Sequence, residues 1–99
     1  MHRRLASLPT AVVLGRRVPV AATPWARLFG LALLEREDAG AGLLLPRCRS
    51  VHTFGMRFAL DAVFLDERHR VVEWRRAVPP RRLARHRKAH AVLELPARE

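Results

Sequence analysis

The first fifth of the chain has an apolar and polar pattern typical of a β-hairpin. Residues 12–14 and 18–20 are short apolar runs separated by Gly15-Arg16-Arg17, which predicts a strand, a tight turn and a second strand. Pro19 has no amide hydrogen to donate to a ladder, so we expect the second strand to lie at a sheet edge there. Residues 1–10 precede this hairpin and are interpreted as an N-terminal tail.

One short helix is predicted near residues 24–33. Thr23 can accept hydrogen bonds from the free amides of a helix start, and Pro24 suits the first helical position because its missing N–H would have no partner there. Gly30 indicates that the helix ends or bends at that point. The apolar residues at helical spacing are Trp25, Leu28, Phe29 and Leu33.

Strands dominate the rest of the pattern. Residues 43–45 are a short buried strand closed by Pro46, and residues 47–60 have no clean period. The pattern then predicts two strands, residues 62–65 and 70–76, which are joined by a turn. A basic connection with room for one helical turn follows at residues 81–88, and a final strand at residues 90–95. Many strands and one helix predict an α+β domain with a mostly antiparallel sheet.

Composition supports one small globular domain and leaves the meaning of its charge open. The 99 residues suit a single domain, and an apolar share of 49% argues against disorder. The formal net charge of +10 attracts anions such as nucleic acid, acidic lipid headgroups or phosphorylated metabolites. Lys88 is the only lysine among the cationic residues, and an arginine- and alanine-rich composition is also what a GC-rich genome produces.

The densest basic strip lies between residues 75 and 88, where nucleic-acid phosphates are a candidate partner. Only Trp74 stands near it as a stacking aromatic, so nucleic acid is not the favoured partner. Cys48 is the only cysteine, which excludes an internal disulfide. Pro9 and Arg16 interrupt the N-terminal apolar stretch, so we expect a cytoplasmic protein with neither an export signal nor a membrane span.

Several segments occur in an order and spacing that belong together. They are residues 28–31 (Leu-Phe-Gly-Leu), 43–45 (Leu-Leu-Leu), 53–58 (Thr-Phe-Gly-Met-Arg-Phe), 60–66 (Leu-Asp-Ala-Val-Phe-Leu-Asp) and 92–96 (Val-Leu-Glu-Leu-Pro). This arrangement resembles the DUF192 family, also called UPF0127 or COG1430. The chain departs from the family at Ala32, Ala59 and Arg98, where methionine, proline and glycine are common.

The resemblance implies a fold and almost no chemistry. The family is mostly bacterial and archaeal, and it has no settled substrate or catalytic residues. It implies an α+β domain over residues 11–97 with a strongly curved, barrel-like sheet. No cofactor is implied, and none is expected.

Residues 47–57 carry the most candidate chemistry in the shortest stretch. Gly55 can bring backbone amides close to a ligand, while Arg49 and Arg57 can hold a carboxylate or phosphate from two sides. We expect Phe54 and Phe58 to pack in the core, whereas Met56 either offers adaptable apolar lining or packs with them on alternate positions. The candidate ligand-binding residues are Arg49, His52, Gly55, Met56, Arg57 and Asp61.

Asp61 is predicted to fix this segment. A carboxylate at a strand start between Leu60 and Ala62 is unfavourable unless it is satisfied. We expect it to accept amides of the preceding loop, or to pair with Arg49 or Arg57. The favoured hypothesis is a non-catalytic ligand-binding or accessory module whose partner is a small anion or a protein.

Two interpretations with sharper chemistry stay open. Cys48 as a nucleophile, His52 as its base and Asp61 as the group that orients the ring would make a thiol enzyme. Cys48 and His52 with the pair His86 and His90 would supply zinc ligands if residues 81–90 were helical. Neither is preferred, and no metal site is expected.

Overall fold

A computed structural model describes residues 3–98 of the chain. Within them lie eight strands, two short α-helices and one 3-10 helix. The strands are Thr10–Val13 (β1), Arg16–Pro19 (β2), Leu43–Pro46 (β3), Ser50–His52 (β4), Leu60–Leu65 (β5), Val71–Val78 (β6), Leu83–Arg85 (β7) and Ala91–Pro96 (β8). The helices are Arg3–Ala6 (α1) and Pro24–Phe29 (α2), and the 3-10 helix is Arg36–Ala39.

The strands form one central sheet and two small ones. The central sheet has the order β3-β8-β5-β6, and β1-β2 and β4-β7 are separate two-stranded sheets. All of these pairings are antiparallel, which confirms the predicted α+β class with a mostly antiparallel sheet. The barrel-like sheet is wrong. The sheet is open, because β3 and β6 lie at its two edges and do not pair with each other, as closure into a barrel requires.

The central sheet is buried on both faces, and this explains why every residue of β5 is buried and all but Asp61 are apolar. On one face, Leu60 and Phe64 pack in a cluster with residues of α1, of the turn after α2 and of β4. On the other face, Val63 and Leu93 pack against the β1-β2 hairpin. Burial of one large side chain such as Phe64 stabilises the fold by about 1.5–3 kcal/mol.

Helix α2 begins at Pro24 as predicted and lies on the surface. It ends at Phe29, beside the Gly30 that indicated an end or bend, so it does not extend to residue 33. The Thr23 hydroxyl accepts a hydrogen bond from the Ala26 amide at 3.0 Å, and Gly30 ends the helix with φ of 54°. None of the residues of α2 is buried, and Trp25 remains 69% exposed while its ring stacks on Phe29. The helical spacing of apolar residues therefore marks an exposed apolar surface.

Two further segments differ from their predicted structure. Residues 81–88, expected to hold at most a helical turn, contain β7, which pairs with β4 inside the segment that showed no period. Strands of three residues are too short for alternation to be visible in the sequence. Of the predicted tail, residues 1 and 2 lie outside the described part, while α1 carries a buried Leu5. No helix within residues 3–98 is long and apolar enough to cross a membrane.

Candidate functional site

A β-bulge in β6 lies directly opposite Asp61. Leu60 pairs with Val78 and Ala62 pairs with Arg75, so β6 carries one residue more than β5 between these two pairs. Ala77 takes the left-handed conformation there, with φ of 52°. Its amide is released from the ladder and donates to Asp61 Oδ1 at 2.8 Å. Bulges of this kind re-aim neighbouring side chains.

The second oxygen of Asp61 holds two side chains of the bulged strand. Trp74 Nε1 donates to Oδ2 at 2.9 Å, and the Arg76 guanidinium lies 3.5 Å from the same oxygen. Arg76 also lies 4.6 Å above the Trp74 ring, a cation–π distance. The Asp61 side chain is only 7% exposed, whereas that of its ion-pair partner Arg76 is 66% exposed. Asp61 therefore fixes both the indole and the guanidinium.

These groups line a cavity of about 520 Å³, which we call the Asp61 cavity. Its other walls come from β2, the 3-10 helix and the residues after β8. Arg16 and Arg98 contribute exposed guanidinium groups that have no ion-pair partner within residues 3–98. The lining residues are Arg16, Arg36, Glu37, Gly40, Asp61, Trp74, Arg76, Leu95, Pro96 and Arg98. Such a surface combines positive charge with one flat apolar ring.

The prediction that Asp61 anchors residues 47–57 is wrong. Its carboxylate bonds to the bulge of β6, and its ion-pair partner is Arg76 rather than Arg49 or Arg57. The physical reason is strand alternation. Asp61 shares its face of β5 with Val63, towards the β1-β2 hairpin, and the bulge offers the nearest free amide.

Thr53 fixes the 47–57 segment instead. It is fully buried, its hydroxyl donates to the Pro79 carbonyl at 2.7 Å, and it accepts from the Arg82 amide at 2.8 Å. The Gly55 carbonyl also accepts a hydrogen bond from the Leu33 amide at 2.8 Å. No structural role was predicted for Thr53, although a threonine hydroxyl within an apolar segment commonly forms hydrogen bonds with the backbone.

The candidate ligand residues of this segment do not converge. Arg57 is ion-paired with Glu35. Arg49 instead lines two clefts together with basic residues of β7 and of the segments beside it. Met56 is buried in the core, 7% exposed. Phe54, which we expected in the core, is 56% exposed. The two arginines therefore do not form the predicted two-sided grip.

Comparison with known proteins defines the family. The model of the family DUF192, described as "Uncharacterized ACR, COG1430", matches residues 9–99. The chain belongs to the DUF192 family. Its fold is similar to the crystal structure of a protein of unknown function from Novosphingobium aromaticivorans DSM 12444, with a TM-score of 0.69 and 16% identity over 98% of this chain and 87% of that one. No curated protein matches the chain.

The DUF192 domain does not assemble the thiol-enzyme triad. Cys48 Sγ donates to the Ser50 carbonyl at 2.9 Å, and His52 Nε2 lies 2.9 Å from the Leu28 carbonyl. Asp61 is bonded to β6, so the three side chains have three different partners. Within residues 3–98 no group of three or more His, Cys, Asp or Glu side chains could hold a metal.

The basic strip of the DUF192 domain is partly engaged inside the domain. Arg75 donates to Glu73 at 2.8 Å and lies 5.3 Å from the centre of the Phe64 ring. Arg76 is held by Asp61. The strip therefore runs from the half-buried Arg75 and the exposed Arg76 on β6 to exposed arginines in β7 and beside it.

Glu94 is the buried acid that the sequence analysis did not single out. It lies on β8 opposite Leu43 and is 3% exposed. Burial raises the pKa of its carboxyl from 4.5 to about 8, and a hydrogen bond from the Leu31 amide opposes this only in part. The signal was available, because residues 93–95 (Leu-Glu-Leu) place a carboxylate inside an apolar strand, as Leu60-Asp61-Ala62 does.

Proposed function

We propose that this DUF192 domain binds a small organic anion in the Asp61 cavity and acts as a non-catalytic binding module. One observation carries the proposal. Asp61 holds Trp74 and Arg76 in place at the wall of a cavity that also presents Arg16 and Arg98, which have no ion-pair partner within residues 3–98. Groups fixed before a ligand arrives lose little entropy on binding, which favours recognition.

The lining indicates the chemical class of the ligand. Guanidinium groups bind carboxylates and phosphates through charge-assisted, often paired hydrogen bonds. Trp74, Leu95 and Pro96 offer a flat and apolar surface for the rest of the molecule. The volume of about 520 Å³ lies within the range of about 300–1,000 Å³ typical of small-molecule sites. A carboxylate or phosphate attached to a ring fits both features.

The state of Asp61 favours binding over catalysis. Both carboxylate oxygens accept hydrogen bonds from β6, and the side chain is only 7% exposed, so a structural role accounts for Asp61 without a proton transfer. Glu37 is the other acid at the cavity, and it is exposed to solvent. We therefore assign Asp61 a positioning role, with the arginines as the groups that touch the ligand.

Fluorescence titration with matched ligands tests the proposal. We suggest phenyl phosphate, benzoate and the uncharged phenol as probes, in a Trp25→Phe background so that Trp74 is the only indole. Phenyl phosphate and benzoate are expected to change the Trp74 emission and phenol is not. Arg16→Gln and Arg98→Gln should each weaken binding about tenfold, since a hydrogen bond to a charged group contributes about 1.5–3 kcal/mol.

Two control variants decide between this site and the alternatives. Arg68→Gln removes an exposed arginine in the β5–β6 turn and should leave binding unchanged. Arg49→Gln tests the 47–57 segment in the same assay. Equal weakening by all four variants would mean that net charge alone attracts the anion, and weakening by Arg49→Gln alone would move the site to residues 47–57. Either result overturns the proposal.

A further inference from the structure

Two buried polar atoms without a partner lie in one small cavity beneath α2. Among the described residues, only His52 Nδ1 and Glu94 Oε1 are buried side-chain nitrogen or oxygen atoms that make no hydrogen bond. Both residues line the same cavity of about 40 Å³, between α2, β3, β4 and β8. This cavity shares no lining residue with the Asp61 cavity. An unpaired buried polar group costs about 1–3 kcal/mol, so two at one place call for a partner.

The hydrogen bond of His52 determines what its other nitrogen presents to the cavity. Nε2 lies 2.9 Å from the Leu28 carbonyl oxygen, which can only accept. Nε2 therefore carries the proton, and Nδ1 of the neutral ring presents a lone pair. The cavity thus contains a hydrogen-bond acceptor fixed by α2.

Glu94 presents the complementary group. Its carboxyl lies against Gly30, where an added Cβ would stand 2.6 Å from Oε1, and it accepts the Leu31 amide. Because burial raises its pKa to about 8, the carboxyl is protonated at neutral pH and carries an O–H donor. No described ion pair reaches Glu94.

The cations near this site are occupied elsewhere. The Arg27 guanidinium, which lines the same cavity, donates to the Pro46 and Arg47 carbonyls at 2.6 and 3.3 Å. The Arg4 guanidinium donates to the Gly30 and Ala32 carbonyls at 2.8 and 3.0 Å. These hydrogen bonds are with backbone, and within residues 3–98 no ion pair gives the acid a counterion.

We propose that the cavity beneath α2 is a binding site for a single hydroxyl group, which accepts from Glu94 and donates to His52 Nδ1. A water needs at least about 10–15 Å³ and two to four polar partners, and the site offers both. The mouth lies beside the exposed residues Leu28 and Ser50. The hydroxyl belongs either to free water or to the end of a larger ligand that enters there.

Long-lived water detected by NMR tests the proposal on the full chain at about pH 7, where an ordinary histidine is mostly neutral. The Leu31 amide is completely buried, so a cross-peak between it and water reports a molecule inside the cavity rather than bulk solvent. We expect this cross-peak in the wild type and its loss in His52→Phe, which keeps the ring and removes the acceptor. His90→Phe, an exposed control, and Glu94→Gln, which keeps a donor, should retain it.

The second arm distinguishes the two sources of the hydroxyl. If methanol displaces the water and shifts the His52 ring nitrogen resonance, the cavity is a site for the hydroxyl end group of a ligand. If the water stays in the cavity, the bound hydroxyl is that of free water. Acetonitrile, which accepts but does not donate, should do neither. Absence of the wild-type cross-peak, its persistence in His52→Phe, or equal effects of acetonitrile and methanol would overturn the proposal. If His52→Phe does not fold, Glu94→Met removes the opposite partner and must abolish the cross-peak.

Discussion

The Asp61 carboxylate accepts a hydrogen bond from the Trp74 indole at 2.9 Å across two paired strands. The same carboxylate accepts the Ala77 amide at 2.8 Å, so one side chain satisfies both the bulge and the ring beside it. The backbone irregularity and the cavity wall therefore depend on the same group. A change at Asp61 should alter the stability of the domain and the environment of Trp74 together.

Asp61→Asn tests this coupling. The substituted amide has one oxygen that accepts and a nitrogen that only donates, so either Trp74 Nε1 or the Ala77 amide loses its acceptor. We expect a loss of about 1–3 kcal/mol in the free energy of unfolding, measured by urea denaturation. The Trp74 emission of the folded variant should shift in the same samples.

Asp66→Asn is the matched control. Asp66 also accepts two backbone amides, those of Arg68 and Arg70 at 2.8 and 2.9 Å, but in the turn between β5 and β6. It should destabilise the domain without moving the Trp74 emission. An unchanged emission in Asp61→Asn would contradict the role assigned to Asp61.

Ala77→Gly is expected to stabilise the protein. A left-handed residue with a Cβ costs about 1–2 kcal/mol, and Ala77 has φ of 52°. Glycine removes this cost but gives the unfolded chain more freedom, about 0.4–1 kcal/mol, so a net gain of about 0.5–1 kcal/mol remains. Ala22→Gly, at an exposed position without positive φ, should lose stability in the same denaturation assay.

Much of the fold was predictable because it rests on local signals. The Thr23-Pro24 helix start, the β5–β6 hairpin and the final strand were located from capping residues, turn residues and apolar runs. Strands β4 and β7 were not, since three residues show no period and their pairing joins segments about thirty positions apart.

The candidate site was only partly predictable. Asp61 was selected correctly as a buried acid that needs partners, but its partners come from β6, and a bulge cannot be read from strand alternation. Arg16 and Arg98 reach the same cavity from the two ends of the chain. Such an assembly depends on tertiary packing, and no local pattern reports it.

The burial of Glu94 predicts an unusual dependence of stability on pH. Its pKa in the folded domain is raised from 4.5 to about 8, so the folded state binds the proton more tightly than the unfolded chain. The associated stability is fully present below about pH 4.5 and is lost as the pH rises to about 8, by at most about 1.4 kcal/mol per pH unit. Urea denaturation from pH 5 to 8 should show this decline.

Glu94→Gln should remove this decline, whereas Glu67→Gln, at an exposed turn position, should not. Asp66 and Glu73 act in the opposite direction. A hydrogen bond from the Arg70 amide is the largest cause that lowers the pKa of Asp66, and a hydrogen bond from the Arg75 guanidinium is the largest cause that lowers the pKa of Glu73. The stabilising effect of these two carboxylates is therefore lost as the pH falls below their ordinary pKa range. Stability that is flat or rises between pH 5 and 8 would contradict a buried, unpaired Glu94.

Two aromatic residues should respond very differently to truncation. Trp25 is 69% exposed on α2, so Trp25→Ser should change the free energy of unfolding by no more than about 0.5 kcal/mol. Phe64 is completely buried in the central sheet, and Phe64→Ala should cost about 3–5 kcal/mol. A large cost for Trp25→Ser would mean that α2 packs into the core, as its apolar spacing suggests.

Gly30 and Glu94 are expected to be energetically coupled. An alanine at position 30 has to adopt φ of 54° and places its Cβ 2.6 Å from Glu94 Oε1, so Gly30→Ala carries both a backbone cost and a steric one. Gly15→Ala isolates the backbone cost, since φ is 78° there and no atom lies within 4 Å of the added Cβ. We expect Gly30→Ala to be the more destabilising, beyond the roughly 1–2 kcal/mol of the left-handed conformation.

A double-mutant cycle then identifies the atom responsible for the difference. In a Glu94→Ala background the carboxyl is absent, and the cost of Gly30→Ala should fall to the backbone cost of its own φ of 54° and ψ of −125°. The coupling is expected because the missing Cβ of Gly30 is what leaves room for the buried acid beneath α2. Equal costs of Gly30→Ala in both backgrounds would show that the glycine serves only the end of the helix, and the carboxyl would then have to lie elsewhere.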